Sequence, residues 1–211
     1  MIIMKIIANS AKFRKNKGFT LVELVIVIVI IGVLAAILVP TLLGAVMDSR
    51  IAAGNQAAKE VKDRATDFMT LMDTKNTAYK GGEQTLVITA QDGIWNMTGG
   101  NGESDWLDGV NHWTTVTNVK APDFVPNRGT EFLSYMADSL HSLYTAYIEI
   151  HIKDGKVVGA TAVPDTSSPA DAMPLPQDFR NGEFGFGGSE KAGVVNNVVV
   201  GTSPILLLQS E

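Results

Sequence analysis

From Leu24 to Met47 the chain carries no charged residue, a run of 24 positions. Wound as a helix, that run is about 36 Å long, enough to cross the hydrocarbon core of a bilayer. Few folds can absorb such a segment, because a helix that is apolar all round must be buried on every side or immersed in lipid. One acid, Glu23, stands at its mouth. It follows four uncharged residues, Phe19-Thr20-Leu21-Val22, and a basic approach, Lys15-Asn16-Lys17-Gly18. A carboxylate at the edge of a membrane helix is costly and calls for a partner. The candidate partner is the backbone amine that a cut before Phe19 creates.

The block Lys17-Gly18-Phe19-Thr20-Leu21-Val22-Glu23-Leu24 resembles the processing site of type IV prepilins and the related pseudopilins. The resemblance covers roughly residues 12 to 50 and is silent about most of the remainder. It implies that a membrane peptidase cuts after Gly18 and N-methylates Phe19. It also places Glu23, the fifth residue of the mature chain, at the family's assembly position. Pro40 matches a helix proline that the family carries near the end of its apolar segment.

Two simpler readings compete for this N-terminus. A secretory signal has a short apolar core and a small-residue cleavage site. Leu34-Ala35-Ala36 could serve, but the apolar run continues past it without a polar break. A plain signal anchor explains the length and the basic flank, yet neither Glu23 nor Gly18-Phe19.

Charge supports export. Residues 1–18 hold five of the chain's 17 bases and none of its 22 acids, so the remainder has 12 bases against 22 acids. A basic leader before an apolar helix keeps that end cytoplasmic and sends the rest of the chain outward. The acidic remainder argues against general nucleic-acid binding, which needs cations for phosphates. The absence of cysteine excludes disulfides, thiolate nucleophiles and Cys-ligated metals. Many Gram-negative pilins close a C-terminal loop with a Cys pair. This chain departs from that pattern, so strand pairing, a cation or neighbouring subunits must hold its C-terminal region.

Beyond the apolar run, Met47, Ile51, Gly54, Ala58, Val61, Ala65, Phe68 and Met72 recur at steps of four and three, one stripe of an amphipathic helix. The predicted mature helix therefore runs from Phe19 to about Met72, roughly 80 Å. Gly32, Pro40 and Gly44 interrupt its apolar half. Pro40 lacks a backbone donor and crowds the preceding turn, so a kink or a segment able to melt is expected there. A proline simply tolerated in a membrane helix is the alternative.

After Lys75 the pattern changes to short strands. Gln84–Gln91 and Ile94–Thr98 flank an Asp92-Gly93 turn, and Trp113–Val119 is a further candidate. Thr130 is expected to cap a helix from Glu131 to Tyr144, apolar along Phe132, Leu133, Met136, Leu140 and Leu143. Tyr147 to Lys153 alternates at period two, which predicts one buried and one wet face. Asp154-Gly155 turns it into a strand over Lys156–Val163. Pro164–Pro176 reads as an extended surface loop and Gly182–Gly193 as irregular. Val194–Val200 and Pro204–Leu208 read as late strands. The expected fold is α+β: a long N-terminal helix against an antiparallel sheet. Its parts are a cleaved leader at 1–18, an apolar stem at 19–46, an amphipathic half at 47–75 and a globular head at 76–211.

No catalytic constellation is present: no Gly-x-Ser-x-Gly elbow, phosphate loop or His-Glu-x-x-His helix. His112, His141 and His151 lack metal-ligand spacing, and His151 is expected on a wet strand face. Asn101, Glu103, Asp105, Asp108 and Asn111 crowd one loop. Asp105 and Asp108 are the only calcium candidates, but the spacing is not that of an EF-hand and a solvated acidic loop accounts for it. Trp95, Trp106 and Trp113 cluster nearby, either as exposed aromatics that could contact carbohydrate or as core.

The resemblance implies a structural subunit of a type IV pilus; for want of a catalytic constellation an enzyme is the least expected class, and no cofactor is expected beyond the weak calcium candidates. Implied partners are other copies of itself, a prepilin peptidase, an assembly ATPase and a platform membrane protein. The implied location is the cytoplasmic membrane before assembly and the cell surface after it. The alternatives are a pseudopilin or minor pilin of a secretion or DNA-uptake system, or a membrane-anchored carbohydrate-binding module.

Overall fold

The computed structural model describes residues 18–74, 82–99, 114–117, 128–189 and 191–209. The chain divides into two compact units, Met1–Ala45 and Val46–Glu211. Helix α1, Leu21–Thr74, contributes to both and is continuous through Gly32, Pro40 and Gly44. In the first unit its apolar side chains are exposed almost without exception, from Leu21 to Leu43. The most apolar 18-residue window has a mean hydropathy of 3.3 and none of it is buried. By length and composition the helix can cross a membrane.

The second unit is built on an antiparallel sheet. Its strands are β1 (Glu83–Gln91), β2 (Ile94–Gly99), β3 (Thr114–Thr117), β4 (Ala146–Lys153), β5 (Lys156–Pro164) and β9 (Gly201–Ser203), in the order β3-β2-β1-β4-β5-β9. Asp92-Gly93 and Asp154-Gly155 make the two tight turns, and all four residues have positive φ. That matches the primed hairpin turns, whose twist suits the flanking strands. One face of the sheet receives the predicted α1 stripe: Val61, Ala65, Phe68 and Met72 pack with Leu86, Ile88, Ile148 and Ile150. Helix α2 (Arg128–Ser139) closes this core, with Phe132 edge-on to Phe68 at 5.1 Å between ring centres. The α+β expectation holds.

Three expectations are corrected. The helix expected over Glu131–Tyr144 begins at Arg128, so Thr130 lies inside it rather than capping it. It ends at Ser139, although Leu140 and Leu143 are buried as predicted. Val194–Val200 is not one strand but a miniature hairpin, β7 (Val194–Val195) and β8 (Val198–Val199), folded at Asn196-Asn197 with both residues at positive φ. Most consequentially, β4 has no wet face: among its residues only Lys153 is exposed. A second core containing Tyr147, Val163, Phe179, Phe186, Val195, Val200 and Leu206 covers the other side of the sheet. The covering chain includes α3 (Pro176–Asn181) and the parallel pair β6 (Glu183–Phe184) and β10 (Leu207–Leu208). Its apolar residues are scattered among Gly and Pro with no period, so no pattern announced them.

Candidate functional site

The start of α1 is organised by Thr20 and Glu23. The Thr20 hydroxyl oxygen accepts the Glu23 backbone N–H at 3.2 Å, while Glu23 Oε2 accepts the Thr20 backbone N–H at 2.9 Å. The hydroxyl also donates to Oε2 at 2.8 Å. This reciprocal arrangement is a capping box, which satisfies orphan donors at a helix start. It explains why the helix begins at Leu21 rather than Phe19. It also shows that Glu23 has a same-chain partner in the uncut polypeptide. Thr20 was not among the expected site residues, although a Thr-x-x-Glu signal before an apolar run was there to be read.

The expected cleavage junction is accessible. Phe19 is 84% exposed, and a Cβ built on Gly18 would meet nothing within 4 Å. The same is true of Gly32 and Gly44, so among the described residues no neighbour requires either glycine. Past Pro40, the Thr41 hydroxyl donates to the carbonyls of Ile37 and Leu38 at 3.1 and 2.9 Å. Such bonds return polar partners to a helix interrupted by proline in an apolar medium.

In the second unit, the C-terminal region is held without cysteine. Strand β9 pairs with β5, and its Thr202 N–H donates to Asn55 Oδ1 on α1 at 2.9 Å. Lys191 forms an ion pair with Asp48. Gly193, at φ +85°, leaves room for Ile51: a Cβ there would lie 2.7 Å from Ile51 Cγ2.

Trp95 is 3% exposed and sits in the first core, so it cannot contact carbohydrate and the surface role considered for it is corrected. Trp106, Trp113, Asp105 and Asp108 lie outside the described residues. Among the described residues no group of three or more His, Asp or Glu is placed to hold a metal ion.

His151, expected on a wet face, is buried beneath α3. Its Nδ1 lies 2.9 Å from Thr85 Oγ1 and its ring 5.0 Å from that of Phe179. Burial pushes its pKa down to about 4, against the opposing pull of the Glu83 and Asp178 carboxylates. The neutral ring is therefore the native form at neutral pH. Beside it, Tyr147 donates to Glu149 Oε1 at 2.9 Å. Burial raises the Glu149 pKa, and the Tyr147 hydrogen bond works against that rise.

A family described as a domain of unknown function, DUF5021, matches residues 51–207. The chain belongs to that family. In this DUF5021 protein the prokaryotic N-terminal methylation motif matches residues 13–39, a span that holds Gly18, Phe19, Thr20 and Glu23. The type IV wide pilus major component PilA4 of Thermus thermophilus is 38% identical over 74 residues. That alignment takes in 35% of the DUF5021 chain and 53% of PilA4, so the chain spans about half the length of this relative. No solved structure matches. The methylation motif, which falls on the N-terminal part of the chain and the start of α1, and the 38% identity to PilA4 are likenesses to type IV pilins.

Proposed function

We propose that this chain is the structural subunit of a type IV pilus. It is cut after Gly18 and methylated on Phe19, then polymerises through the first part of α1 into a filament on the cell surface. The observation that carries the reading is a single carboxylate, Glu23, presented in the first turn of a helix whose apolar side chains from Leu21 to Leu43 are exposed. So much apolar surface is tolerable only in lipid or against other copies. Before cleavage the Thr20 cap satisfies Glu23 and lowers the cost of keeping a carboxylate at the membrane. After cleavage the Phe19 amine of a neighbouring copy supplies the opposite charge, which sets the axial register between subunits. Gly32, Pro40 and Gly44 mark where the helix can loosen as copies pack. The prepilin peptidase, assembly ATPase and platform protein act on the membrane pool, and no catalytic role is assigned to the chain.

Intact-mass analysis of filaments sheared from cells tests this reading. Abundant chain beginning at methylated Phe19 supports it. Correctly cut chain confined to the membrane fraction would make it a minor or pseudopilin subunit, and an uncut N-terminus would overturn the reading.

A further inference from the structure

The surroundings of α1 change at one place along its length. From Leu21 to Leu43 its apolar side chains are exposed, and its first buried residue is Gly54. Upstream of that point the helix has a weak link. Pro40 has no N–H, so the Ala36 carbonyl lacks its helical donor. The Thr41 hydroxyl serves the carbonyls of Ile37 and Leu38 instead. Most helical stability in a folded protein comes from packing of one face, and within the second unit that packing begins only near Asp48.

From Asp48 to Asn55, about two turns, one later segment grips the helix. Asp48 pairs with Lys191. The Ile51 side chain occupies the space that Gly193 leaves by having no Cβ. Gly54 lies against the Val199 side chain and the Gly201 backbone. Asn55 Oδ1 accepts the Thr202 N–H at 2.9 Å. Positions 48, 51 and 55 are separated by three and four residues, so they share one helix face. The gripping segment is itself fixed. Its β7–β8 hairpin is closed by Val200 N–H donating to the Gly193 carbonyl at 2.9 Å, Val195 and Val200 are fully buried, and β9 is paired to β5 in the main sheet.

We infer that the Lys191–Thr202 segment is a stop on helix unwinding: it keeps Asp48–Asn55 helical when α1 loosens around Gly32, Pro40 and Gly44, so the loosening ends before Asp48. This rests on the polymer reading above, which supplies the loosening, and adds its downstream limit. Unwinding as far as Val46 uncovers nothing, because Leu42, Leu43 and Val46 are already exposed. One further turn changes the account. The Ala52 N–H must leave the Asp48 carbonyl, and the backbone rotations that follow carry Gly54 off Gly201 and Asn55 off the Thr202 N–H. Thr202 is 1% exposed, so its donor is left buried without an acceptor. The stop also limits how much chain can be released. Gly32 to Met47 is 16 residues. Each gains roughly 1.8 Å on going from helical to extended backbone, which makes about 30 Å per copy.

Hydrogen exchange read by mass spectrometry tests the stop, on sheared filaments and on the detergent-solubilised full-length chain. In filaments of the parent chain, the amides of Leu42–Met47 should exchange at least tenfold faster than those of Ala52–Lys59. The double variant Asp48→Ala, Asn55→Ala should quicken Ala52–Lys59 at least tenfold and leave Ala65–Met72 unchanged, because the first core holds that part of the helix independently. Equal exchange of Ala52–Lys59 in parent and variant overturns the inference. So does acceleration spread evenly to Met72, which would mean a general loss of stability and no local stop. Equal protection of Leu42–Met47 and Ala52–Lys59 in parent filaments also overturns it, since nothing would then have loosened. Absence of the chain from filaments removes the polymer reading alone; the detergent-solubilised chain still judges the grip by the same comparison of parent with variant. Should the double variant not fold, Lys191→Ala, which changes an exposed side chain, decides by the same pattern with a smaller acceleration, at least twofold.

Discussion

Gly54 of α1 and Gly201 of β9 meet backbone to backbone. A Cβ built on Gly201 would fall on the Gly54 carbonyl, closer than any real contact allows, while one on Gly54 would lie 2.7 Å from the Val199 side chain. The long helix and the last strand of the sheet can approach this closely only because neither residue has a side chain. The contact performs part of what a disulfide would do in a chain that has none.

The two glycines are therefore not equivalent. Gly201→Ala must push backbone from backbone and is expected to cost about 3 kcal/mol, the upper end of the usual overpacking range. Gly54→Ala meets a side chain that can move and should cost about 1 kcal/mol. Thermal melts of the detergent-solubilised chain should rank them in that order; equal loss from both would contradict the geometry.

Asn55 closes the same contact by accepting the Thr202 N–H. Asn55→Ala leaves that buried donor without its acceptor, an expected loss of about 1–3 kcal/mol. Hydrogen exchange at the Thr202 amide should quicken in the variant, and an unchanged rate would show that the bond is not formed in solution.

At the other end of the helix, Glu23→Ala is expected to leave cleavage after Gly18 intact while abolishing filaments. Thr20→Val removes one half of the capping box, worth about 1 kcal/mol. It should lower filament yield without eliminating it. Immunoblots of sheared and membrane fractions, with intact masses, separate the two outcomes. Normal yield from Glu23→Ala would remove its role in assembly.

Trp95→Ala should destabilise the second unit by about 3–5 kcal/mol, the usual cost of deleting a buried aromatic side chain. A folded variant with normal stability, measured by denaturant titration, would contradict its place in the core.

Acid should expose the buried histidine. Its pKa is about 4 when folded against an ordinary value of 6.5, so the unfolded chain binds the extra proton first. The stability that His151 contributes is complete above about pH 6.5 and is lost as pH falls towards 4. Glu149 works in the opposite sense, because its raised pKa favours the folded state at low pH and withdraws that contribution as pH rises. His151→Gln should therefore lose less thermal stability than the parent chain between pH 7 and pH 4.5. Parallel melting curves would assign the acid sensitivity elsewhere.

Some of this architecture can be read one residue type at a time. A charge-free run of bilayer length, a 3.6-residue stripe from Ile51 to Met72, and Asp-Gly turns between alternating strands each act through neighbours in sequence, so pattern alone recovers them. The Thr20–Glu23 cap belongs to the same class and was legible from a four-residue signal. The burial of His151 belongs to another. Its strand alternates like one with a wet face, and it is covered only because Phe179, Phe186 and Leu206 arrive from distant, aperiodic segments. The meeting of Gly54 with Gly201, 147 positions apart, likewise depends on contacts between residues with no local relation. Local sequence sets turns, caps and periods because it limits φ, ψ and which side chains share a face. Which second layer closes over a sheet depends on long-range packing, where many scattered apolar residues act together and none signals its partner.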